Sequence, residues 1–223
     1  MTTTNPLICK DLVFGYRTGL RPALNWQTEP GQFWAIIGDN GCGKTTLFRT
    51  ILGQLSPLSG RVIIDGSRAY VAQLGELAAT MPARVTDVVA IGLEHGLSGL
   101  KPFYALRNRR CIQSALEKFD LLGMKKRQFS ELSQGEKQRV QLAQATVRDI
   151  SLLMLDEATS GMDPRHAAES FRILSELVQT KSLCVAAISH SMAFHHDYIT
   201  HVLAFTDDGF LMGPRDEILS QIR

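Results

Sequence analysis

Apolar and polar residues change rhythm twice along the chain. Residues 8–16 (ICKDLVFGY) and 23–27 (ALNWQ) alternate apolar with polar side chains, which predicts half-buried strands. Residues 33–37 (FWAII) form a short, wholly apolar run suited to a buried strand. The period then lengthens: Leu47, Phe48, Ile51, Leu52 and Leu55 recur at helical spacing, and residues 56–60 (SPLSG) end that helix. Residues 61–65 and 69–73 read as two further strands. From about Leu74 to Asp149 the texture is amphipathic helix, with Ile112, Ala115, Leu116 and Phe119 on one face and Gly123 as a stop. Strand character returns at residues 151–155, 184–189 and 201–205. Between the first two of these, Asp163 as cap and Pro164 at the first position open a helix that turns Phe171, Leu174, Leu177 and Val178 inward. Strand, helix, strand in succession implies a parallel sheet.

Composition narrows the class. With 44% hydrophobic and 21% charged side chains in 223 residues, the chain belongs with folded globular proteins and not with disordered, collagenous or disulfide-stapled ones. Its formal charge of +2 is too small for a nucleic-acid footprint based on bulk charge. The charge is unevenly spread, since residues 74–149 carry twelve basic and eight acidic side chains, a local +4 that reads as a solvated helix face. The longest stretch without a charged side chain, residues 182–196, falls short of the roughly 20 residues a membrane helix needs. The N-terminus lacks the basic start and apolar core of a secretory signal, so a cytosolic protein is expected. Four cysteines, Cys9, Cys42, Cys111 and Cys184, show no CxxC spacing and read as reduced thiols. His195, His196 and Asp197 adjoin one another, but neighbouring side chains diverge and the spacing is not that of a metal site.

The chemistry begins at residues 38–46, GDNGCGKTT, which satisfy G-x-x-x-x-G-K-[ST] between a buried strand and a helix. Several backbone N–H groups must meet phosphate oxygens at once, which requires small residues with unusual backbone angles; Gly38, Gly41 and Gly43 supply them, with Asp39, Asn40, Cys42 and Thr46 completing the loop. The helix from Lys44 turns its positive end to the anion, Lys44 reaches the β and γ phosphates, and the Thr45 hydroxyl joins a Mg²⁺ shell. Residues 151–157 (SLLMLDE) place Asp156 and Glu157 at the carboxyl end of an apolar strand, where open α/β sheets bind ligands. Asp156 is expected to hold Mg²⁺ through water, and Glu157 to polarise the attacking water.

Residues 131–145 (ELSQGEKQRVQLAQA) supply the third feature. Ser133 and Glu136 form a capping box, so a helix starts there with a hydroxyl and free N–H groups at its positive end. Taken with the phosphate loop, LSQGE (Ser133, Gln134, Gly135 and Glu136 within it) resembles the LSGGQ signature of ATP-binding cassette (ABC) proteins. Further landmarks follow in family order over nearly the whole chain. Tyr16 stands where the family stacks the adenine ring, Gln73 in YVAQ matches the Q-loop glutamine that touches Mg²⁺, residues 160–163 (SGMD, with Asp163) look like the D-loop, and His190 matches the switch histidine at the γ-phosphate.

The resemblance implies an α/β fold: a P-loop NTPase (RecA-like) core of residues 1–73 and 150–223 with an N-terminal antiparallel β subdomain, and an inserted α-helical signature subdomain of residues 74–149. It implies ATP and Mg²⁺ as ligands and hydrolysis of ATP. It also implies that Ser133 and Gly135 close on the nucleotide of a second cassette, so that ATP clamps a head-to-tail pair. Three positions depart from the pattern: Gln134 and Glu136 in the signature, and Ala158 in place of the proline that commonly follows the catalytic glutamate. Residues 81–93 (MPARVTDVVAIGL), DEATSGMDP and the closing GPRDEIL are similar to the ATPases of zinc- and manganese-type importers. Expected partners are therefore a second copy, an integral membrane permease and an extracytoplasmic substrate-binding protein, with no nucleic acid, at the cytoplasmic face of the membrane. Siderophore- or cobalamin-type importers, exporters and soluble ABC ATPases remain alternatives on these residues.

Overall fold

The computed structural model describes residues 4–72, 82–93, 108–159, 161–188 and 196–222. Two sheets organise it. Strands β1 (Leu7–Val13), β2 (Leu24–Gln27) and β4 (Ser59–Ile64) form an antiparallel sheet in the order β2-β1-β4. Strands β3 (Phe33–Ile37), β5 (Arg68–Val71), β6 (Leu152–Asp156), β7 (Cys184–Ile188), β8 (His201–Thr206) and β9 (Gly209–Pro214) form the second, in the order β5-β6-β7-β3-β8-β9. Every pairing in the second sheet is parallel except that of β8 with β9. β6 and β7 are buried along their whole length, as their unbroken apolar sequences require of strands covered on both faces.

Six α-helices lie among the described residues: α1 (Lys44–Ile51), α2 (Val85–Ile91), α3 (Arg109–Lys118), α4 (Gln134–Thr146), α5 (Pro164–Lys181) and α6 (Arg215–Gln221). One apolar core packs α1 and the antiparallel sheet on one face of the parallel sheet through Leu47, Phe48, Trp26, Trp34 and Ile36. A second joins α2, α3, α4 and α5 to the opposite face of the parallel sheet through Val89, Leu116, Leu142, Leu153 and Leu174. The sheet is thus sandwiched, and the loops at its carboxyl edge emerge between the two layers.

Several boundaries differ from the sequence pattern for local reasons. The helix predicted through Leu55 stops at Ile51, because the N–H groups of Gly53 and Gln54 return to the carbonyls of Thr50 and Arg49 at 3.1 and 2.9 Å and close a Schellman turn. α3 likewise ends before Gly123. Asp120 takes φ 53°, its N–H bonds Glu117, and Leu121 N–H bonds Leu116 at 2.8 Å. The short polar side chain of an aspartate tolerates the left-handed position, so no glycine is needed there. β1 ends at Val13 and not Tyr16: the chain turns out, and the Phe14 carbonyl accepts the Leu20 N–H at 3.1 Å. β9 and α6 had no counterpart in the periodicity. β9 follows β8 through the two-residue turn Asp207-Asp208, with Thr206 opposite Gly209.

Candidate functional site

β3 delivers the glycine-rich loop to the carboxyl edge of the sheet, and α1 starts directly from it with Gly43 as N-cap. At Gly38, φ is +146°, and a Cβ would stand 2.7 Å from Phe205 Cβ and 3.0 Å from Cys42 Sγ, so only glycine lets the loop lie this close to β8. Phe205 is edge-on to both Phe14 and Phe210, a cluster that gives the loop a rigid floor. Lys44 is buried. Its Nζ donates to the carbonyls of Gly38 and Asp39 at 2.7 and 2.8 Å and lies 3.9 Å from Cys42 Sγ.

Asn40, Gly41, Gly43, Lys44, Thr45, Thr46, Glu157 and Ile188 line an open cleft of about 190 Å³. An ammonium fixed by backbone carbonyls and the free N–H groups that start α1 give this cleft the character of an anion receptor. Asp39 and Cys42 belong to the loop without lining the cleft.

The carboxylates come from β6. Asp156 is buried at the strand's end; its Oδ1 accepts from Thr45 Oγ1 at 3.4 Å and its Oδ2 from the Tyr70 hydroxyl at 3.2 Å. Burial raises the affinity of Asp156 for a proton, the two hydroxyl donors work against that, and the neighbouring charge of Glu157 reinforces it. The Tyr70 phenol is pushed up to about 12 by burial and by the adjacent Asp156 charge, so it stands as a donor. Glu157 leaves the strand with φ 52° and bonds the Ile188 carbonyl through its N–H at 3.2 Å. A non-glycine residue in that region costs about 1–2 kcal/mol. The strain sits at the residue that carries a carboxylate into the cleft.

Tyr16 lies in the exposed loop after β1, 63% accessible, and its hydroxyl accepts from Arg49 Nη1 at 3.1 Å. The same loop is fastened by Arg21, which donates to the Thr206 carbonyl. Tyr70 and Arg49 were not singled out by sequence reasoning: nothing in their spacing distinguishes a strand tyrosine or a helix arginine from any other.

The signature residues stand outside the lining of this cleft. Ser133 caps α4: its hydroxyl accepts the Glu136 N–H at 3.3 Å, and Glu136 Oε2 accepts the Ser133 N–H at 2.8 Å. Burial opposes ionisation of Glu136, yet the Ser133 bonds and the charges of Arg127 and Arg139 outweigh it and hold the carboxyl below its ordinary range. Gly135 and Gln134 lie against Gly161 and Met162, and the Gly161 N–H donates to Gln138 Oε1 at 3.1 Å. Asp163 caps α5, accepting from the N–H groups of Arg165 and His166, each at 3.1 Å. None of these residues lines the cleft of Lys44. Gln73, Ser160, His190 and His195 lie outside the described residues. Among the described residues no three His, Cys, Asp or Glu side chains are grouped to hold a metal ion, and no helix is long and apolar enough to cross a membrane.

A parallel α/β sheet that presents a lysine-bearing anion loop after one strand and adjacent carboxylates after another defines a nucleoside-triphosphate hydrolase of the P-loop class. The sequence profile of the ABC transporter family matches residues 22–160, and the chain belongs to that family as an ATP-binding, ATP-hydrolysing subunit. It is 31% identical to the zinc uptake system ATP-binding protein ZurA of Listeria innocua over 81% of this chain and 74% of that one. It is 30% identical to the manganese transport system ATP-binding protein MntA of Synechocystis, over 86% and 77% respectively. Among solved structures it resembles a metal-chelate type ABC transporter in an inward-facing conformation, with a TM-score of 0.83 and 27% identity over 97% of this chain and 86% of that one.

Proposed function

We propose that this chain is the ATPase that energises import of a metal cation through a separate membrane permease, working as one of two copies at the cytoplasmic face of the membrane. The observation that carries the ATPase half is the meeting of Lys44, Thr45, Asp156 and Glu157 at one edge of the sheet. Similarity to ZurA and MntA supports the cargo. A zinc- or manganese-class ion is cargo here and is not bound by the ATPase site.

Within the site, residues 38–46 cradle the triphosphate through backbone N–H groups, and Lys44 offers its ammonium to the terminal phosphates. The hydroxyl of Thr45 and the carboxylate of Asp156 are hard oxygen donors, the set Mg²⁺ prefers, and they already adjoin. A Mg²⁺ held by these two residues would neutralise charge on the phosphate oxygens. Glu157 orients and deprotonates the attacking water, with Gln73 serving the Mg²⁺ and His190 the γ-phosphate. Tyr16, held by Arg49, stacks the base. Ser133, Gln134, Gly135, Glu136 and Asp163 serve the nucleotide of the second copy, in keeping with their absence from the lining of this chain's own cleft. Residues 74–149 form the subdomain that meets the permease.

The test is copurification with the membrane subunit, followed by ATPase assays with an extracytoplasmic binding protein loaded with Zn²⁺ or Mn²⁺. Stimulation by a loaded protein supports the reading, and indifference to both ions contradicts it. Similarity to the metal-chelate type transporter favours a second cargo class, chelated metal, which the same assay distinguishes when a further arm loads the binding protein with a metal chelate.

A further inference from the structure

We propose that Tyr70 is a positioning residue for Asp156, fixing the orientation of the carboxylate that receives Mg²⁺. The inference rests on the reading of Asp156 as a metal-site residue given above. The last torsion of an aspartate is broad and nearly two-fold, so one donor does not define how its oxygens point. Thr45 supplies one bond, to Oδ1, and at 3.4 Å it is long. Tyr70 supplies the other, to Oδ2 at 3.2 Å, from a different element. Together the two donors hold both oxygens, and the Thr45 oxygen keeps a lone pair for a cation.

The phenol is itself held firmly. β5 is hydrogen-bonded to β6 in parallel register with Tyr70 opposite Met154, so the strand carrying the donor and the strand carrying the acceptor cannot slide independently. The Tyr70 ring stands edge-on to Phe48, centroids 6.3 Å apart at 81°, and Phe48 lies three residues beyond Thr45 on α1. One helix therefore places both hydroxyls: Thr45 directly, and Tyr70 by packing. Arg49, on the same helix, adds positive charge near the pair. The hydroxyl has no part in the anion receptor itself, since Tyr70 does not line the cleft of Lys44. Its loss should act on the cation alone.

The discriminating experiment titrates binding of a fluorescent ATP analogue across a Mg²⁺ series and in EDTA, for the wild-type chain, Tyr70→Phe and Asp156→Asn. Tyr70→Phe keeps the ring against Phe48 and removes only the donor. Its dissociation constant in EDTA should stay within about twofold of wild type, while the Mg²⁺ concentration at half-saturation rises about ten- to a hundredfold, the range for one hydrogen bond to a charged group. Unchanged Mg²⁺ dependence would overturn the inference, as would an equal loss in EDTA, which marks a packing defect. Asp156→Asn separates the two levels. If it too leaves Mg²⁺ dependence unaltered, the metal-site reading falls; if it alone weakens Mg²⁺, only the role of Tyr70 falls.

Discussion

The side chain of Gln134 rests on Gly161: a Cβ built at residue 161 would meet Gln134 Cγ at 2.6 Å and Cδ at 2.7 Å. A side chain where the family signature has its first glycine is thus accommodated by a missing side chain across the contact. Gly161 has no positive φ, so the constraint is space and not backbone conformation. Gly161→Ala should then displace the start of α4, costing about 1–3 kcal/mol as overpacking does, and lower ATPase activity. Gln134→Gly on that background should restore stability and turnover. Thermal melts and steady-state ATPase rates of the two single variants and the double variant test this, and simple additivity of the losses would refute the coupling.

That contact also marks the boundary of what the sequence could reveal. The loop from Gly38 to Thr46 and the pair Asp156–Glu157 were legible because each is a local pattern with its own context, strand then loop then helix, or apolar strand then carboxylates. The strands β3, β6 and β7 were legible because buried parallel strands are apolar runs. The helix ends at Ile51 and Lys118 were not, because a Schellman turn is decided by which residue takes the left-handed position, and at Asp120 that residue is not a glycine. Tyr70 beside Asp156 and Gln134 beside Gly161 are partners 86 and 27 residues apart, which no spacing encodes.

Glu136 occupies the signature position where the family has glutamine, and its charge should appear in the pH dependence of stability. Its carboxyl is held below the ordinary range in the folded state. A depressed carboxylate stabilises fully above its unfolded value, about 4.3, and loses that contribution as pH falls through the lower folded value. At neutral pH the contribution is complete and flat. Glu136→Gln retains an acceptor for the Ser133 N–H but loses the pairing with Arg127 at 3.4 Å, an exposed bond worth under about 1 kcal/mol. Its melting temperature should lie slightly below wild type at pH 7, and the two should converge below pH 4. Parallel curves down to pH 3 would show that the charge contributes nothing.

Cys42 should report nucleotide binding. The thiols of Cys9 and Cys184 are buried and pushed up to about 12 by desolvation, which leaves them unreactive in the folded chain. Cys111 is exposed and Cys42 half-buried in the loop, 3.9 Å from Lys44 Nζ. In a Cys111→Ser chain, alkylation should therefore fall mainly on Cys42, and MgATP should slow it, since the loop that cradles phosphate encloses the thiol. Mass-spectrometric labelling rates that are equal with and without MgATP would contradict this placement of the nucleotide.

Glu157 offers the most direct test of the catalytic assignment. It combines a left-handed backbone with a place on the wall of the cleft, next to the residue that bonds Thr45. Strained backbone persists where the surrounding structure holds it, and it clusters at functional sites. Glu157→Gln keeps the side-chain length and the N–H bond to Ile188, so folding and ATP binding should persist. What it removes, on the mechanism proposed above, is the base. Hydrolysis should drop by at least about 100-fold, the lower end of what a positioned general base contributes. With ATP bound and not consumed, the head-to-tail pair should accumulate, visible as a dimer in size-exclusion chromatography with MgATP and as monomer without it. Turnover at the wild-type rate would remove Glu157 from the mechanism, and would leave Asp156 and Lys44 as the groups to be tested next in the same assay.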